Sequence, residues 1–217
     1  MNQFAVITPV PNVIDILVQN SILKKVIERK VLSLKIINLR QYGLGKHKQI
    51  DDTPFGGGGG MILKPEPLFN AIDVAINWMK GNEDIRVVLP SPVGKNWNQN
   101  SAQKLSKKNK IILICGHYKG IDERVVEQYV TDQYSIGDFI MTSGEIPAMM
   151  IMDSIVRLIP GALNNLQSVL NDSFSHHLLD HPHYTNPREF REKYVPEILL
   201  SGNHSNIDKW RLYHRER

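Results

Sequence analysis

Short apolar stretches alternate with segments whose apolar residues recur three or four positions apart. Phe4–Ile7, Leu32–Leu39, Arg86–Leu89 and Ile111–Cys115 read as strands, with Leu32, Leu34 and Ile36 sharing one face. Residues 12–29 put Val13, Ile16, Leu17, Ile22, Leu23, Val26 and Ile27 near helical spacing and predict one helix. Pro65-Glu66-Pro67 opens another through about Met79, with proline and glutamate where a first turn tolerates them. A polar helix is expected over Asn98–Lys107, a short one over Asp122–Gln128, and an apolar one over Gly144–Ile159. Tyr134–Met141 reads as an irregular strand. The alternation predicts an α/β fold with a mostly parallel sheet.

Pro160-Gly161 stops the apolar helix, and the polar residues 161–175 that follow read as a linker. Residues 176–217 show weak helical patterning around Asn186–Lys193 and Asn206–Tyr213, and are too few to fold alone with ease. The expected division is therefore a main domain over 1–160, a linker over 161–175 and a small helical domain over 176–217.

Composition narrows this picture. At 217 residues, 41% hydrophobic and 22% charged, the chain suits a globular protein with a sizeable core. No apolar run approaches the roughly 18–20 residues that span a bilayer. The start, Met1-Asn2-Gln3-Phe4, lacks the basic and apolar regions of a signal peptide, so a cytoplasmic location is expected. The single Cys115 excludes an internal disulfide and a cysteine-rich zinc site, and follows a strand as a buried residue would. A net charge of +4 tolerates an acidic partner without requiring one.

Candidate chemistry sits in loops. Gly56–Gly60, five glycines in a row, follow Asp51-Asp52-Thr53-Pro54-Phe55 and precede Met61-Ile62-Leu63. Polyglycine is often a flexible linker. Flanks that turn and pack favour an ordered loop whose bare backbone approaches a ligand. Three strand ends also carry loops rich in Gly, Pro and Ser: Leu89–Gly94, Cys115–Arg124 and Tyr134–Pro147. Ligands of parallel α/β sheets bind beyond such ends, so a small-molecule pocket is expected there. None of the loops fits a dinucleotide-binding glycine fingerprint or a P-loop.

Asp-Asp-x-Pro-(aromatic)-Gly-Gly-Gly-x-Gly-Met, Cys-Gly-x-Tyr-x-Gly-Ile-Asp-Glu-Arg, Ser-Ile-Gly-Asp-Phe, Arg-Leu-Ile-Pro-Gly, Asp-Ser-Phe, Pro-His-Tyr-Thr-x-Pro and Leu-Leu-Ser-Gly-Asn-His-x-x-Ile-x-x-Trp-Arg occur in this order over residues 4–213. Together they resemble the bacterial tRNA (guanine-37-N1)-methyltransferase family. The resemblance implies a SPOUT-type α/β domain with a deep C-terminal trefoil knot, a small helical domain that binds tRNA, and a homodimer with composite active sites. It implies S-adenosylmethionine held by Leu89, Pro90, Ser91, Gly116, Tyr118, Gly120, Ser135, Ile136, Gly137, Phe139, Met141, Ser143, Gly144 and Pro147. RNA contacts fall to Asp52, Gly58, Gly60, Ser168 and His183. Asp172 matches the general base, which from composition alone would be a linker aspartate turning with Ser173. Arg157 matches an essential arginine that steadies charge on the guanine, and also suits a helix C-terminal cap.

This sequence departs from the family pattern at several positions. Lys119 stands where Glu is usual, His117 and Asn186 where Arg is usual, and Gly59 where Pro is usual. Relatives usually continue past position 217 with a basic tail, so RNA affinity is expected to change more than methyl transfer. The resemblance adds Mg2+ to the cofactors, although no carboxylate cluster marks a site. His176, His177, His181 and His183 fit no familiar zinc spacing, so no metal ligands are assigned and a solvated, RNA-facing segment is expected. Packing is expected of Trp78, while Trp97 and Trp210 stay open between packing and base stacking.

Overall fold

The structure, a computed structural model, describes residues 1–81, 83–163, 173–174 and 178–215. It divides into two compact units, Met1–Asn164 and Asn165–Arg217. The first contains β1 (Asn2–Thr8), α1 (Pro11–Gln19), α2 (Ile22–Glu28), β2 (Leu32–Asn38) and a 3-10 turn (Leu39–Tyr42). Next come a two-residue hairpin pair, β3 (Asp51–Asp52) and β4 (Ile62–Leu63), then α3 (Pro65–Trp78) and β5 (Ile85–Asn96). The unit continues through α4 (Gln99–Leu105), β6 (Lys110–Ile114), α5 (Glu123–Tyr129), β7 (Asp132–Ser135) and α6 (Glu145–Val156).

Five strands form a parallel sheet in the order β2-β1-β6-β5-β7. Successive strand residues face opposite ways, and here both faces are buried. Phe4, Val6, Ile111 and Leu113 pack with residues of α1, α2, α4 and α6 on one side. Ala5, Ile7, Ile112 and Ile114 pack with residues of α3 and α5 on the other. Double-sided burial explains why β1 and β6 are continuous apolar runs rather than alternating ones. Trp97 packs against the first of these cores and donates its indole N–H to Ser154 Oγ at 3.1 Å, which decides its role as packing.

Several elements differ from the sequence expectation. The helix expected over 12–29 is broken at Asn20-Ser21. Ser21 Oγ accepts the Leu23 N–H at 3.2 Å, starting a new helix instead of continuing the old one. The strand expected over Arg86–Leu89 runs on to Asn96, with Pro90 and Lys95 both opposite Tyr134 and the residues between them bulged out. The strand expected over Tyr134–Met141 ends at Ser135, whose Oγ accepts the Gly137 N–H and turns the chain.

The second unit carries a hairpin, β8 (Glu189–Phe190) and β9 (Lys193–Tyr194), followed by α7 (Glu197–Leu200) and α8 (His204–Tyr213). The helical patterning over Asn186–Lys193 therefore resolves as a hairpin. Arg191 and Glu192 take φ of 48° and 60°, the left-handed pair that a tight hairpin turn requires. Among the described residues, no helix is long and apolar enough to cross a membrane.

Candidate active site

Neighbouring strands β6, β5 and β7 run parallel, so the loops that leave β6 and β7 lie on either side of the bulge within β5. Together they line a cavity of about 610 Å³. Leu89, Pro90 and Ser91 form the wall from β5. Gly116, Tyr118 and Gly120 come from the loop after β6, and Ser135, Ile136, Gly137, Phe139, Met141, Ser143 and Gly144 from the loop after β7. Pro147, in the first turn of α6, closes the end. Every residue expected around the cofactor thus lines one cavity. Pro92, Val93 and Thr142 line it too, as does Gln133 on β7; the sequence signal for them is only adjacency to those segments.

Backbone contacts hold the loops together. The Gly144 N–H donates to the Gly116 carbonyl at 2.8 Å, and His117 bridges to Ser143. A Cβ at Gly144 would meet the Gly116 nitrogen at 2.5 Å and Cys115 Cα at 2.9 Å, so only glycine lets these segments cross. The Trp97 N–H donates to the Ser135 carbonyl at 2.7 Å, tying the far end of β5 to the third loop.

Glu145, 1% exposed at the start of α6, anchors the wall from behind. Its carboxylate accepts from Thr8 Oγ1, and both its oxygens lie within 2.9 Å of His117 Nε2. Burial pushes this carboxyl up, but hydrogen bonds from His117, Thr8 and Ser143 outweigh it and hold the group below its ordinary 4.5. Cys115 is buried, and burial followed by the nearby Glu145 charge pushes its thiol well above the usual range. It is a core residue, not a nucleophile.

The glycine run forms the exposed tip of the β3–β4 hairpin, with positive φ at Gly56, Gly57, Gly58 and Gly60. Its returning arm is stitched to the cavity wall: the Lys119 N–H donates to the Met61 carbonyl at 3.1 Å, and the Leu63 N–H to Gly120 at 3.0 Å. A Cβ on Gly60 would touch Lys119 Cε at 3.2 Å, so the lysine that departs from the family pattern lies along the loop. Asp52 pairs with Lys64 at 2.9 Å, and that ammonium holds its carboxyl below the ordinary range.

Arg157 follows α6 as its C-cap, exposed, with its N–H on the Asp153 carbonyl at 3.1 Å. It does not line the cavity. Asp172 and Ser168 lie outside the described residues, as do His176 and His177. His183 belongs to the second unit, where its Nε2 meets Asp180 Oδ2 at 2.9 Å.

A parallel α/β sheet with a mostly apolar cavity beside the carboxyl ends of three adjacent strands, edged by serine hydroxyls and backbone amides, defines an α/β protein with a small-molecule pocket. Comparison with known families makes this specific. Residues 2–217 match the family model described as tRNA (Guanine-1)-methyltransferase TrmD. A tRNA (guanine-N(1)-)-methyltransferase of Staphylococcus haemolyticus is 49% identical over 205 residues, covering 94% of this chain and 82% of that protein. The similarly named proteins of Oceanobacillus iheyensis and Listeria monocytogenes are 47% and 50% identical, covering 95% and 88% of this chain and 83% and 78% of their own. The chain belongs to the tRNA (guanine-1)-methyltransferase family, a family of transferases.

Proposed function

We propose that this enzyme moves a methyl group from S-adenosylmethionine to N1 of guanosine 37 in tRNA, with Asp172 as general base. The observation that carries the proposal is one cavity assembled from the β5 bulge and the loops after β6 and β7. Its volume of about 610 Å³ falls within the range of small-molecule sites. Leu89, Ile136 and Phe139 offer apolar surface to an adenine, and Ser91, Ser135 and the loop amides offer partners to a ribose.

When bound, S-adenosylmethionine supplies an electrophilic methyl carbon on a sulfonium. The protein must orient the purine and remove its N1 proton. The Asp172 carboxylate would accept that proton as N1 takes the methyl, leaving the electron pair of the broken bond with the sulfur as the leaving group. A general base typically contributes about 10²–10⁴-fold. Arg157 steadies the charge that gathers on O6 as the proton leaves. The exposed glycine backbone of the β3–β4 tip, with Asp52, Gly58 and Gly60, lies against the target nucleotide, and Ser168 and His183 contact the RNA. Among the described residues lining the cavity the only carboxylate is Glu123, which makes no magnesium cage, and no step is assigned to Mg2+.

The same reading makes the crossing of Gly144 over Gly116 part of a deep trefoil knot of the SPOUT type. It treats residues 161–175 as the linker and 176–217 as the tRNA-binding domain. Ile146 and Met150, four apart on α6, expose large apolar side chains at 41% and 50%, which supports a second copy completing the site. A tRNA substrate puts the work in the cytoplasm.

Labelled methyl transfer to unmodified tRNA transcripts, with guanine 37 present or replaced, tests the assignment. Transfer is expected only with guanine present, and transfer to the replaced transcript would point to another nucleotide. Asp172→Ala should lower turnover by about 10²-fold or more while cofactor affinity holds. Equal loss of both would remove Asp172 from the general-base role.

A further inference from the structure

Asp180, His181 and His183 each offer one ligand atom, and these atoms all lie within 4.8 Å of one another in the second unit. The carboxylate is held in place. The Asp180 N–H donates to Ser173 Oγ at 3.0 Å, and Asp180 Oδ1 accepts the His181 N–H at 2.8 Å. His183 Nε2 lies 2.9 Å from Oδ2, and His181 Nε2 lies 3.7 Å from Oδ1. His181 Nδ1 sits 3.0 Å from the Pro182 carbonyl, which suits the tautomer that carries its proton on Nδ1 and leaves Nε2 for a metal. Histidines that bind metal are fixed in this way, the second nitrogen donating to a carbonyl or carboxylate. Trp210 backs the pair with its ring 6.1 Å from His181, and His214 stacks on Trp210 at 4.1 Å.

Tetrahedral zinc with bonds of about 2.0–2.1 Å sets its ligand atoms roughly 3.3 Å apart. The two carboxylate–imidazole separations, 2.9 Å to Oδ2 and 3.7 Å to Oδ1, lie near that value through different oxygens, so a metal draws the two rings toward one side of the carboxylate. The His183 side chain is 68% exposed and has room to turn. Arg215 pairs with Asp180 Oδ1 at 4.0 Å, so a bound dication competes with this guanidinium for the carboxylate.

We propose that Asp180, His181 and His183 form a divalent transition-metal site of the zinc class, with a fourth position open to water. Two imidazoles and one carboxylate select zinc, nickel or copper over magnesium or calcium, which take oxygen ligands. On binding, the proton that His183 Nε2 shares with Asp180 moves to Nδ1 or leaves to solvent. The site belongs to the C-terminal unit and does not rest on the methyl-transfer reading.

The full-length protein, stripped with EDTA and exchanged into metal-free buffer, is titrated with zinc chloride by calorimetry and with cobalt(II) by visible absorption. One metal per chain and the intense bands of tetrahedral cobalt are expected. Asp180→Asn and His183→Ala should each weaken zinc by at least about tenfold. The double variant His176→Ala/His177→Ala should leave binding unchanged. Substoichiometric zinc, weak octahedral cobalt bands or full affinity in His183→Ala would each overturn the site. Because His183 is exposed, its alanine variant decides the matter even if Asp180→Asn fails to fold.

Discussion

Glu145 is a buried carboxylate that stays charged because each of its oxygens is used. Its folded-state value lies below the ordinary 4.5, so its contribution to stability is complete above that pH and is lost as pH falls through the lower folded value. Glu145→Gln should therefore be less stable than the parent at about pH 6, and the gap should shrink steadily toward acid. Urea unfolding midpoints across that range check the slope, and a gap independent of pH would show that the charge contributes nothing. The sequence pointed to the neighbours of this residue, since Cys115 read as a buried strand residue and His117 as a departure from its family. It did not link His117 or Thr8 to Glu145, because 28 and 137 positions separate them along the chain and only the sheet brings them together.

At the scale of elements, one tight feature is the passage of the α6 start over the loop after β6. Gly144→Ala places a methyl group against the Gly116 backbone, where no flexible side chain can yield. A destabilisation of about 1–3 kcal/mol is expected from such overpacking, together with weaker cofactor binding. Thermal melts and S-adenosylmethionine calorimetry measure the two effects, and a variant that matches the parent in both would show that the loops move apart freely. Element types were largely readable, because buried parallel strands leave apolar runs and α3 announces itself with Pro65-Glu66-Pro67. Element ends were less so. Ser21 restarts a helix through one hydrogen bond, and Ser135 ends a strand in the same manner; neither event disturbs the hydrophobic period. The hairpin over Glu189–Tyr194 was misread as helical, since its two short strands are exposed and carry no alternating pattern.

For the whole molecule, the exposed apolar pair on α6 sets the test. If a second copy covers Met150, then Met150→Glu should yield a monomer by light scattering and lose most methyl transfer, because each site would lack its partner. A monomeric parent enzyme would remove the dimer from the proposal. The sequence by itself determined the α/β class with its mostly parallel sheet, the loops after β6 and β7 and the family, because hydrophobic periodicity and the order of short motifs are properties of the chain read locally. Only the tertiary structure decided that these loops share one cavity, that Trp97 packs rather than stacks on a base, and that Asp180 turns toward two histidines. Those outcomes depend on which distant backbones touch, and strand order and loop crossings set such contacts where no local spacing records them.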